Sequence, residues 1–475
     1  MPTLYSRLLV LAVAACLAAC TPTIATRLPP PDQDPVARAT HVWQQRGGDD
    51  AWPAEQWWTA LGDAKLNGWV QTVLTANPTL AVAKAHADMA AAMAQGAHAP
   101  LSPQAGMRAT TGREQISANG MFPKPFGGQT FTLVELAGSL SYHLDLSGRL
   151  HAQAAAGDAQ ATAAEEEARR AREALAASTV RLYLELGGAL VDLSAVRDLQ
   201  GQWARTRAIM ESRAAHGLEN EIATRRVAAE VEAFEGQMAL ATQRVVLVRG
   251  MLAALAGAGP DAAADLSPPA PSSAAMVAQP SDLHLHLLGR RADVRSARDR
   301  VDAAAYQQVA ARRAYMPDLS LELMGGLQAR AVDSLFESGS RQWNLGPALT
   351  LPLFDGHQRR AARQAQDAAY EAAMAQYRAA VVNAVAEVNA ALVSRTSNGA
   401  ALEAARRALA EEHQSLAALK RRQVNGIAAE SDVVAGQIRV LQRSREVARL
   451  TVQARLADVD LIEALGGNAR EESKP

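Results

Sequence analysis

Few side chains of this 475-residue chain stand in a pattern that could carry out chemistry. Its two cysteines, Cys16 and Cys20, both lie within the first twenty residues, so the rest of the chain offers no thiolate for a disulfide, a zinc site or a nucleophile. His284 and His286 would share one face of an extended segment, but a histidine pair alone is a weak signal for a metal. No Gly-x-x-x-x-Gly-Lys-Ser/Thr motif for nucleotide phosphates is present. We therefore predict that the protein is not an enzyme and binds no metal and no cofactor.

Cys20 has one chemical role that its neighbours do predict. Arg7 supplies a short positive region, and Leu8–Ala15 is an apolar stretch too short to span a bilayer as a stable helix. Leu17-Ala18-Ala19-Cys20 resembles the bacterial lipobox, in which the signal is cut before the cysteine, which then carries S-diacylglycerol and N-acyl lipid. We therefore predict a lipoprotein signal peptide and a lipidated Cys20. The alternative is an ordinary secretory signal that contains a cysteine.

Charge and hydropathy exclude other classes of function. The chain has 48 Lys and Arg side chains, one of them Arg7 in the signal, against 49 Asp and Glu, so the mature protein is close to neutral and is not adapted to nucleic acid. The longest apolar run after the signal, Val245–Ala258, is interrupted by Arg249, so we expect no membrane-spanning helix. Abundant Ala, Arg, Glu and Gln with few aromatic residues favours long helices.

The chain repeats itself at an interval of about 210 residues. Four landmarks recur in the same order, separated by 208 to 214 residues: Pro103 and Pro317, Gly148 and Gly356, Gly217 and Gly426, and Leu255 and Leu465. A Pro- and Ser-rich stretch at 266–282 separates the two copies. The chain therefore contains a duplicated structural unit.

Each copy changes its hydrophobic periodicity twice. Apolar and polar residues alternate at 134–144, at 319–323 and at 343–353, which predicts strands. After Gly148 and Gly356 the pattern is helical for roughly 65 residues, or about 100 Å at 1.5 Å per residue. This length is typical of a coiled coil or a helical barrel rather than of a globular helix.

These patterns predict a mixed α and β fold with the following division of the chain. In order, the parts are a lipoprotein signal peptide (1–19), a lipidated N-terminal extended segment (20–62), repeat 1 (63–258, with a β-hairpin at about 104–147 and a long helix pair at about 149–258), an equatorial linker (259–282), repeat 2 (283–467, with a β-hairpin at about 318–354 and a long helix pair at about 357–467) and a C-terminal tail (468–475).

Four strands with one apolar face cannot close a barrel by themselves. In hydrocarbon an open sheet would leave the amides and carbonyls of its edges unsatisfied, so strands from several copies must combine. Eight strands would be nearly filled by side chains, whereas twelve would enclose a water-filled lumen. The sequence predicts an oligomer, and a trimer if the function is transport.

Motifs along the whole mature chain resemble those of the outer membrane efflux protein family, the TolC-like channels, and the lipobox fits their lipoprotein, NodT-like branch in resistance-nodulation-division efflux systems. The motifs are Trp57-Trp58 with Leu61-Gly62-Asp63, Asn77-Pro78-x-Leu80, Arg290-Arg291-x-Asp293-Val294, Leu351-Pro352-Leu353-Phe354-Asp355-x-x-x-Arg359 and Ala464-Leu465-Gly466-Gly467. Ala292 stands where the family usually has Pro, and His357 where Gly is common. The resemblance implies a trimeric twelve-stranded transmembrane β-barrel, with four strands per chain, continued by a periplasmic α-helical barrel.

The same resemblance assigns a role to the two turns between the long helices. In the family these turns form the periplasmic tip that docks an adaptor protein, and here they read His216-Gly217-Leu218 and Asn425-Gly426-Ile427. The alternative is that both turns are only helix C-caps, in which Gly adopts a positive φ.

A gate is implied at the same tip. Asp432 matches a position where the family places an acidic ring, and three copies would form a cation-attracting constriction. The alternative for Asp432 is an acid that stabilises the start of its helix. Arg213, Arg422 and Glu430 are candidates for salt bridges that hold the closed state.

Two further clusters have structural interpretations. Trp57, Trp58 and Trp69 are expected to pack together rather than to bind a ligand. The arginines 169, 170 and 172 beside Glu165–Glu167 are expected to form solvated helix faces with pairs three and four residues apart.

The function implied is a passive exit duct for drugs or other small toxic solutes in the outer membrane. Its expected partners are two further copies, outer membrane lipid, a periplasmic adaptor protein and an inner membrane resistance-nodulation-division pump. Two alternatives remain open: a lipid-anchored periplasmic scaffold without a pore, and the exit duct of a type I protein secretion system. The sequence does not identify the substrate.

Overall fold

The structure is a computed structural model, and it describes residue 54 and residues 56–121, 124–271 and 289–467. Several sequence predictions lie outside the described residues: the signal peptide at 1–19, lipidated Cys20, the His284 and His286 pair, and the tail at 468–475. The chain forms two compact units. Among the described residues, the first unit holds 87–164 and 297–377, and the second holds the remainder.

The first unit contains a four-stranded antiparallel sheet in the order β1-β2-β3-β4. The strands are β1 (Gln104–Gln115), β2 (Thr130–Leu144), β3 (Asp318–Ala329) and β4 (Arg341–Thr350). Strand β2 from the first repeat pairs directly with β3 from the second. The two repeats therefore share one sheet, and β1 and β4 are its edges within the described part of the chain.

One face of this sheet is apolar and the other is mainly polar. Directly opposed residues of an antiparallel pair point to the same side, so the register assigns each side chain to a face. The apolar face carries Ala105, Met107, Ala109, Val134, Leu136, Leu140, Tyr142, Leu144, Leu319, Leu321, Leu323, Leu327, Trp343, Leu345, Pro347 and Leu349, with Arg113 and Arg341 towards the hairpin loops. The opposite face carries the polar residues Gln104, Arg108, Thr110, Glu114, Glu135, Ser139, Ser141, His143, Ser320, Glu322, Gln328, Gln342, Asn344 and Thr350, together with the apolar Phe131, Leu133, Ala137, Met324 and Ala348.

Helices make up most of the rest of the described chain. They are α1 (Ala64–Ala76), α2 (Pro78–His98), α3 (Arg149–Ala215), α4 (Glu221–Leu255), α5 (Ala292–Arg313), α6 (Gln358–Val424) and α7 (Glu430–Ala464). The long helices α3 and α6 have 67 residues each, close to the predicted 65. Short 3₁₀ helices lie at Trp57–Leu61, Ala99–Leu101, Pro260–Ala263 and Ser338–Ser340.

Each strand-to-helix joint turns through a left-handed residue. Gly148 has φ +69°, and a Cβ there would lie 2.6 Å from Nη1 of Arg313, which donates to the Gly148 carbonyl at 2.9 Å. In the second repeat both Gly356, with φ +60°, and His357, with φ +72°, are left-handed. His357 is the structural counterpart of Gly148, because the carbonyl of each accepts the amide four residues later, so the pairing of Gly148 with Gly356 from the sequence is one residue out. His357 adopts this left-handed backbone without being glycine, at a steric cost of about 1 kcal/mol.

The second unit has an apolar core that begins with the predicted tryptophan cluster. Trp57 and Trp58 are buried, with ring centroids 5.8 Å apart in an edge-to-face arrangement. They pack with residues of α1, α3 and α7, including Val70, Val180 and Val459. Trp57 and Trp58 are therefore packing residues, as expected. Trp69 lies against a separate cluster of the same unit.

Two of the helices contain apolar windows that the sequence reading did not count. By length and composition alone, parts of Arg149–Ala215 and Glu221–Leu255 could cross a membrane. Half of the window in Arg149–Ala215 is buried inside the structure, and core helices of soluble proteins pass the same test. Here α3 and α4 pack against each other through residues such as Leu186, Val248 and Leu252. Because only 28% of the window in Glu221–Leu255 is buried, helix packing accounts for these windows in part, and two such helices are weak evidence for a membrane span.

Gly326 of β3 lies so close to the backbone of β2 that no side chain fits there. A Cβ there would lie 2.4 Å from the Leu136 carbonyl oxygen and 2.7 Å from the Ala137 Cα. We expect Gly326→Ala to destabilise the β2–β3 pairing by about 1–3 kcal/mol because the backbones must separate. Gly325→Ala, which meets nothing within 4 Å, is the control. The midpoint of unfolding of the purified protein in denaturant measures the difference, and equal midpoints for both variants would contradict the packing described.

Candidate functional site: the two helix turns

The turn between α3 and α4 is a tightly bonded helix C-cap. Gly217 has φ +72°, its amide donates to the Ala214 carbonyl at 2.9 Å, and the amide of Leu218 donates to the Arg213 carbonyl at 2.9 Å. These two bonds form a Schellman motif, which satisfies the last carbonyls of the helix. His216 adds a bond from its ring Nδ1 to the Ser212 carbonyl at 2.7 Å. The backbone of the first predicted tip turn is therefore held in one conformation.

The turn between α6 and α7 repeats this geometry. Gly426 also has φ +72°, its amide donates to the Gln423 carbonyl at 2.9 Å, and the amide of Ile427 donates to the Arg422 carbonyl at 2.9 Å. Asn425 continues the helical pattern by donating to the Arg421 carbonyl at 3.3 Å. Both glycines act as C-caps, and this alternative interpretation of the turns is compatible with their serving as a docking tip as well.

The returning helices begin with different caps. In α4 the Asn220 side chain accepts a hydrogen bond from the Ala223 amide at 2.9 Å. In α7 the carboxylate of Asp432 accepts from the Ala429 amide at 3.0 Å. Asp432 is exposed and thus makes the contact expected of a helix-start acid, with its charge near the positive end of the helix dipole.

The candidate gate cations and acids do not form one network within the chain. The Arg213 guanidinium lies 3.6 Å from Glu219, and the carboxylate of Glu430 accepts from Arg205 of α3 at 2.5 Å. Arg422 is exposed and makes no ion pair with the described residues. Separate exposed pairs contribute about 0–1 kcal/mol each, so within one chain they do not hold a gate closed.

Apolar side chains project from both turns. Leu218 and Ile427, the third residues of the two predicted motifs, have 68% and 64% of their surface exposed. Val424 and Ile222, which the sequence reading did not single out, are 87% and 79% exposed. Their positions near a glycine turn and at a helix end could have identified them from the sequence as exposed residues of the tip. Four exposed aliphatic residues around two rigid turns form a surface that can bury apolar area against another protein.

The second unit also holds a cluster of buried charges far along the chain from these turns. Arg291, only 1% exposed, donates to Asp293 and to Glu387 at 2.6 Å and to the carbonyl of Ala464 at 2.8 Å. A Cβ at Gly466 would lie 3.1 Å from the Arg291 Cγ. Two of the motifs that carry the family resemblance therefore meet in space, and the first caps the end of α7.

The electrostatics of this cluster follow from its burial. Burial opposes ionisation of Asp293, but the hydrogen bonds and charge of Arg291 outweigh it and lower the pKa of the carboxyl. Arg181 bonds to Asp460 and Glu463, and Arg170 lies 3.6 Å from Glu463. Each ion is thereby paired, as a buried charge requires.

The expectation of simple solvated faces around Arg169, Arg170 and Arg172 is therefore wrong in part. Arg169 does pair with Glu166 three residues away, at 3.5 Å. Glu166, however, is buried and accepts from Arg295 at 2.7 Å, and Arg170 faces Glu463. The reason is tertiary packing: this part of α3 lies against the ends of α5 and α7, which a periodicity argument cannot detect.

Glu173 is the exception in this cluster because neither of its carboxylate oxygens has a hydrogen-bond partner in the described part of the chain. Burial raises the pKa of Glu173 from 4.5 to about 7. The charges of Arg170, Arg169 and Arg295 oppose this rise, and that of Glu166 adds to it. No group of three or more His, Cys, Asp or Glu side chains that could hold a metal ion occurs among the residues described.

Comparisons with known proteins converge on one family. A family model described as outer membrane efflux protein matches residues 69–258 and 285–467. The multidrug resistance outer membrane protein MdtP of Shigella flexneri is 29% identical over 367 residues, which cover 75% of this chain and 74% of MdtP. The outer membrane protein OprJ of Pseudomonas aeruginosa is 30% identical over 69% of this chain and 68% of its own. The crystal structure of the outer membrane protein VceC from Vibrio cholerae superposes with a TM-score of 0.78 at 29% identity, covering 88% of this chain and 99% of VceC.

Glu173 gives the second unit a defined pH dependence. Its folded pKa lies above the unfolded value of 4.5, so its stabilising contribution is complete below pH 4.5 and is lost as the pH rises through 7. We expect Glu173→Gln to remove this dependence, which amounts to about 3 kcal/mol per chain at most. Helix unfolding followed by circular dichroism at pH 5 and pH 8 measures it. The exposed neighbour Glu165→Gln is the control, and equal pH dependence in the wild type and Glu173→Gln would contradict the assignment.

Proposed function

As a member of the outer membrane efflux protein family this chain is an outer membrane efflux channel, and we propose that three copies form the passive exit duct of a tripartite pump. The long helices lie in the periplasm. The observation that carries the proposal is the four-stranded sheet with one apolar and one polar face and two free edges. The runner-up, a periplasmic scaffold without a pore, has no use for such a sheet.

The free edges of the sheet require partners in a membrane. Strands β1 and β4 each have one neighbour among the described residues, and every unsatisfied backbone group in hydrocarbon costs several kcal/mol. Pairing of β4 from one copy with β1 of the next closes the sheet without an edge. Three copies give twelve strands, enough for a water-filled lumen, whereas two copies give eight, which side chains nearly fill.

The two faces of the sheet suit the two sides of such a barrel. Alternation of apolar residues facing lipid with polar residues facing the lumen is the pattern of transmembrane barrel strands. The polar face carries Arg108, Glu135 and Glu322, so it would keep the lumen hydrated and carry both signs of charge. A lumen of this kind passes many solutes, and this supports drugs or other small toxic solutes as the cargo. The names of the relatives, such as multidrug resistance outer membrane protein, point to the same class.

The energy and the substrate would come from partners. We infer an inner membrane resistance-nodulation-division pump and a periplasmic adaptor protein, which docks on the two helix turns. The exposed side chains of Leu218, Ile222, Val424 and Ile427 support this because they are aliphatic and stand on rigid backbone. His216, Gly217, Asn425 and Gly426 would shape the same surface. A lipid on Cys20 would anchor each chain to the outer membrane, since two or more acyl chains give stable anchoring.

Gating is proposed at the start of α7. In a trimer three copies of Asp432 would form a ring of carboxylates, with Glu430, Arg213 and Arg422 able to make contacts between copies that a single chain does not contain. The bond from Ala429 to Asp432 uses one carboxylate oxygen and leaves the charge exposed. Capping and ring formation are therefore compatible, and they can be separated by substitution.

Single-channel conductance in planar bilayers tests the pore and the ring together. Asp432→Asn removes the charge but keeps an oxygen that can accept from Ala429, whereas Asp432→Ala removes both. We expect small cation-selective currents from the wild type, and in both variants a larger current or at least a several-fold loss of cation selectivity. Glu221→Gln, an exposed acid at the start of α4, is the control. If only Asp432→Ala differs from the wild type, Asp432 is a cap and not a ring residue, and the absence of any pore would contradict the proposed duct.

The docking surface is tested by making it polar. We expect Leu218→Ser combined with Ile427→Ser to lose adaptor binding at least tenfold and to abolish drug resistance in a susceptibility assay, because two aliphatic anchors are removed. The channel itself should still conduct in bilayers. Val332→Ser combined with Phe336→Ser is the matched control: both side chains are exposed, but they lie in the β3–β4 hairpin loop, at the strand ends remote from the helices. Unchanged adaptor binding in the tip variant would exclude this surface.

A further inference from the structure

The apolar face of the sheet continues beyond the end of β4. Leu345 and Leu349 belong to that face, and Leu351 and Leu353 continue its alternation after the strand stops at Thr350. Leu353 and its neighbour Phe354 have 89% and 87% of their surface exposed. These residues extend a surface that faces lipid hydrocarbon to the level at which the chain leaves the membrane.

We propose that this surface and the arginines beside it bind the phosphate headgroup of a phospholipid from the periplasmic leaflet. The proposal rests on the outer membrane barrel described above. An open cleft of about 610 Å³ lies here, and the residues that line it include Tyr315, Leu353, Phe354, His357, Arg360 and Arg363. The lining thus combines aliphatic and aromatic side chains with cationic ones, and it also includes Asp355 and Asp367.

The ion pairs at the cleft leave an excess of positive charge. Asp355 is occupied by Arg359, whose Nη1 lies 2.8 Å away. Asp367 accepts from Gln308 at 2.7 Å and is shared between Arg312 at 3.5 Å and Arg363 at 3.7 Å. Arg360 is exposed and forms no ion pair with any residue that the structure describes. Arg312 and Arg363 thus share one carboxylate, and Arg360 adds a further positive charge at the cleft.

Guanidinium groups suit a phosphate ester at this place. Arginine presents paired N–H donors that match phosphate oxygens and is less strongly hydrated than lysine. Its long stem can lie along apolar surface while the charged end reaches the interface. Phe354 and Tyr315 are aromatic residues of the kind that concentrate at membrane interfaces. The cleft therefore offers contacts both to a headgroup and to the first carbons of an acyl chain.

The position of the cleft along the strands shows which leaflet of the membrane it would contact. The two hairpin loops of the sheet, at 116–129 and 330–340, lie at one end of the strands. Gln104, Leu144, Asp318 and Thr350 lie at the other end, where the chain connects to the helices. Because the long helices are periplasmic, the cleft beyond Thr350 lies at the periplasmic surface of the membrane, next to phospholipid.

Only the second repeat carries this site. Gly148 and His357 occupy equivalent left-handed positions, so Arg360 and Arg363 correspond to His151 and Ala154 of the first repeat. Ala154 is buried, and His151 bonds to Asp145 at 2.7 Å. The first repeat therefore has no free guanidinium at the equivalent place, and a trimer would hold three such lipids rather than six.

Native mass spectrometry of the delipidated channel, titrated with phosphatidylglycerol, tests the site. We expect the wild-type trimer to retain up to three phosphatidylglycerol molecules, and Arg360→Gln combined with Arg363→Gln to bind them at least tenfold more weakly. Arg378→Gln combined with Arg407→Gln removes the same charge from exposed positions elsewhere on α6 and should bind like the wild type. Phosphatidylcholine carries the same phosphate diester and should also bind the Arg360 and Arg363 variant more weakly, whereas diacylglycerol, which has no phosphate, should bind all three proteins alike.

Three outcomes would overturn the proposal. The first is equal retention of phosphatidylglycerol by the wild type and the Arg360 and Arg363 variant. The second is binding of inorganic phosphate as tightly as of the lipid, which would make this a site for a free anion. The third is dissociation of the trimer in this variant alone, which would make the cleft a contact between copies. A wild-type protein that forms no trimer would instead contradict the proposed duct. The number of lipids bound per chain could still be measured in that case, so the two failures are distinguishable.

Discussion

The architecture of the sheet depends on one constraint: every backbone amide and carbonyl that enters a membrane must be paired. A chain that contributes only four strands has two open edges, and hydrocarbon supplies no water to bond them. The same requirement explains why the two repeats place β2 and β3 side by side in one sheet instead of forming two separate hairpins. Each repeat of the duplicated sequence supplies two strands to the same sheet.

Much of this architecture could be predicted from the sequence because its signals are local. Alternation of apolar and polar residues at 134–144 and 343–353 marks the strands, and the helix lengths follow from the distance between the glycines at each end. The turns could be predicted as well, since a reversal through φ +72° favours glycine at 217 and 426. His357 adopts the same backbone region without being glycine, and the one sign of this in the sequence is that the family it resembles commonly has Gly there.

Contacts between distant parts of the chain could not be predicted from the sequence. One partner of Arg291 is the carbonyl of Ala464, a backbone group that no residue pattern reveals. Arg170 was expected on a solvated face because its neighbours in sequence are glutamates, yet it faces Glu463. The gate candidates are a related case. Their residue types were visible, but one chain contains only the capping contact of Asp432, since a ring consists of contacts between copies.

The contact between Arg291 and the end of α7 has a consequence for how this protein is made. The second unit is assembled from three separate stretches of chain, and the last of them includes Ala464 and Gly466. Until those residues have been synthesised, the Arg291 side chain lacks its Ala464 acceptor, although Asp293 and Glu387 still balance its charge. The bond joins groups 173 residues apart in the chain, so it can form only after synthesis has reached the end of α7. The surroundings of Arg291 are therefore completed by the last helix of the second unit to be made.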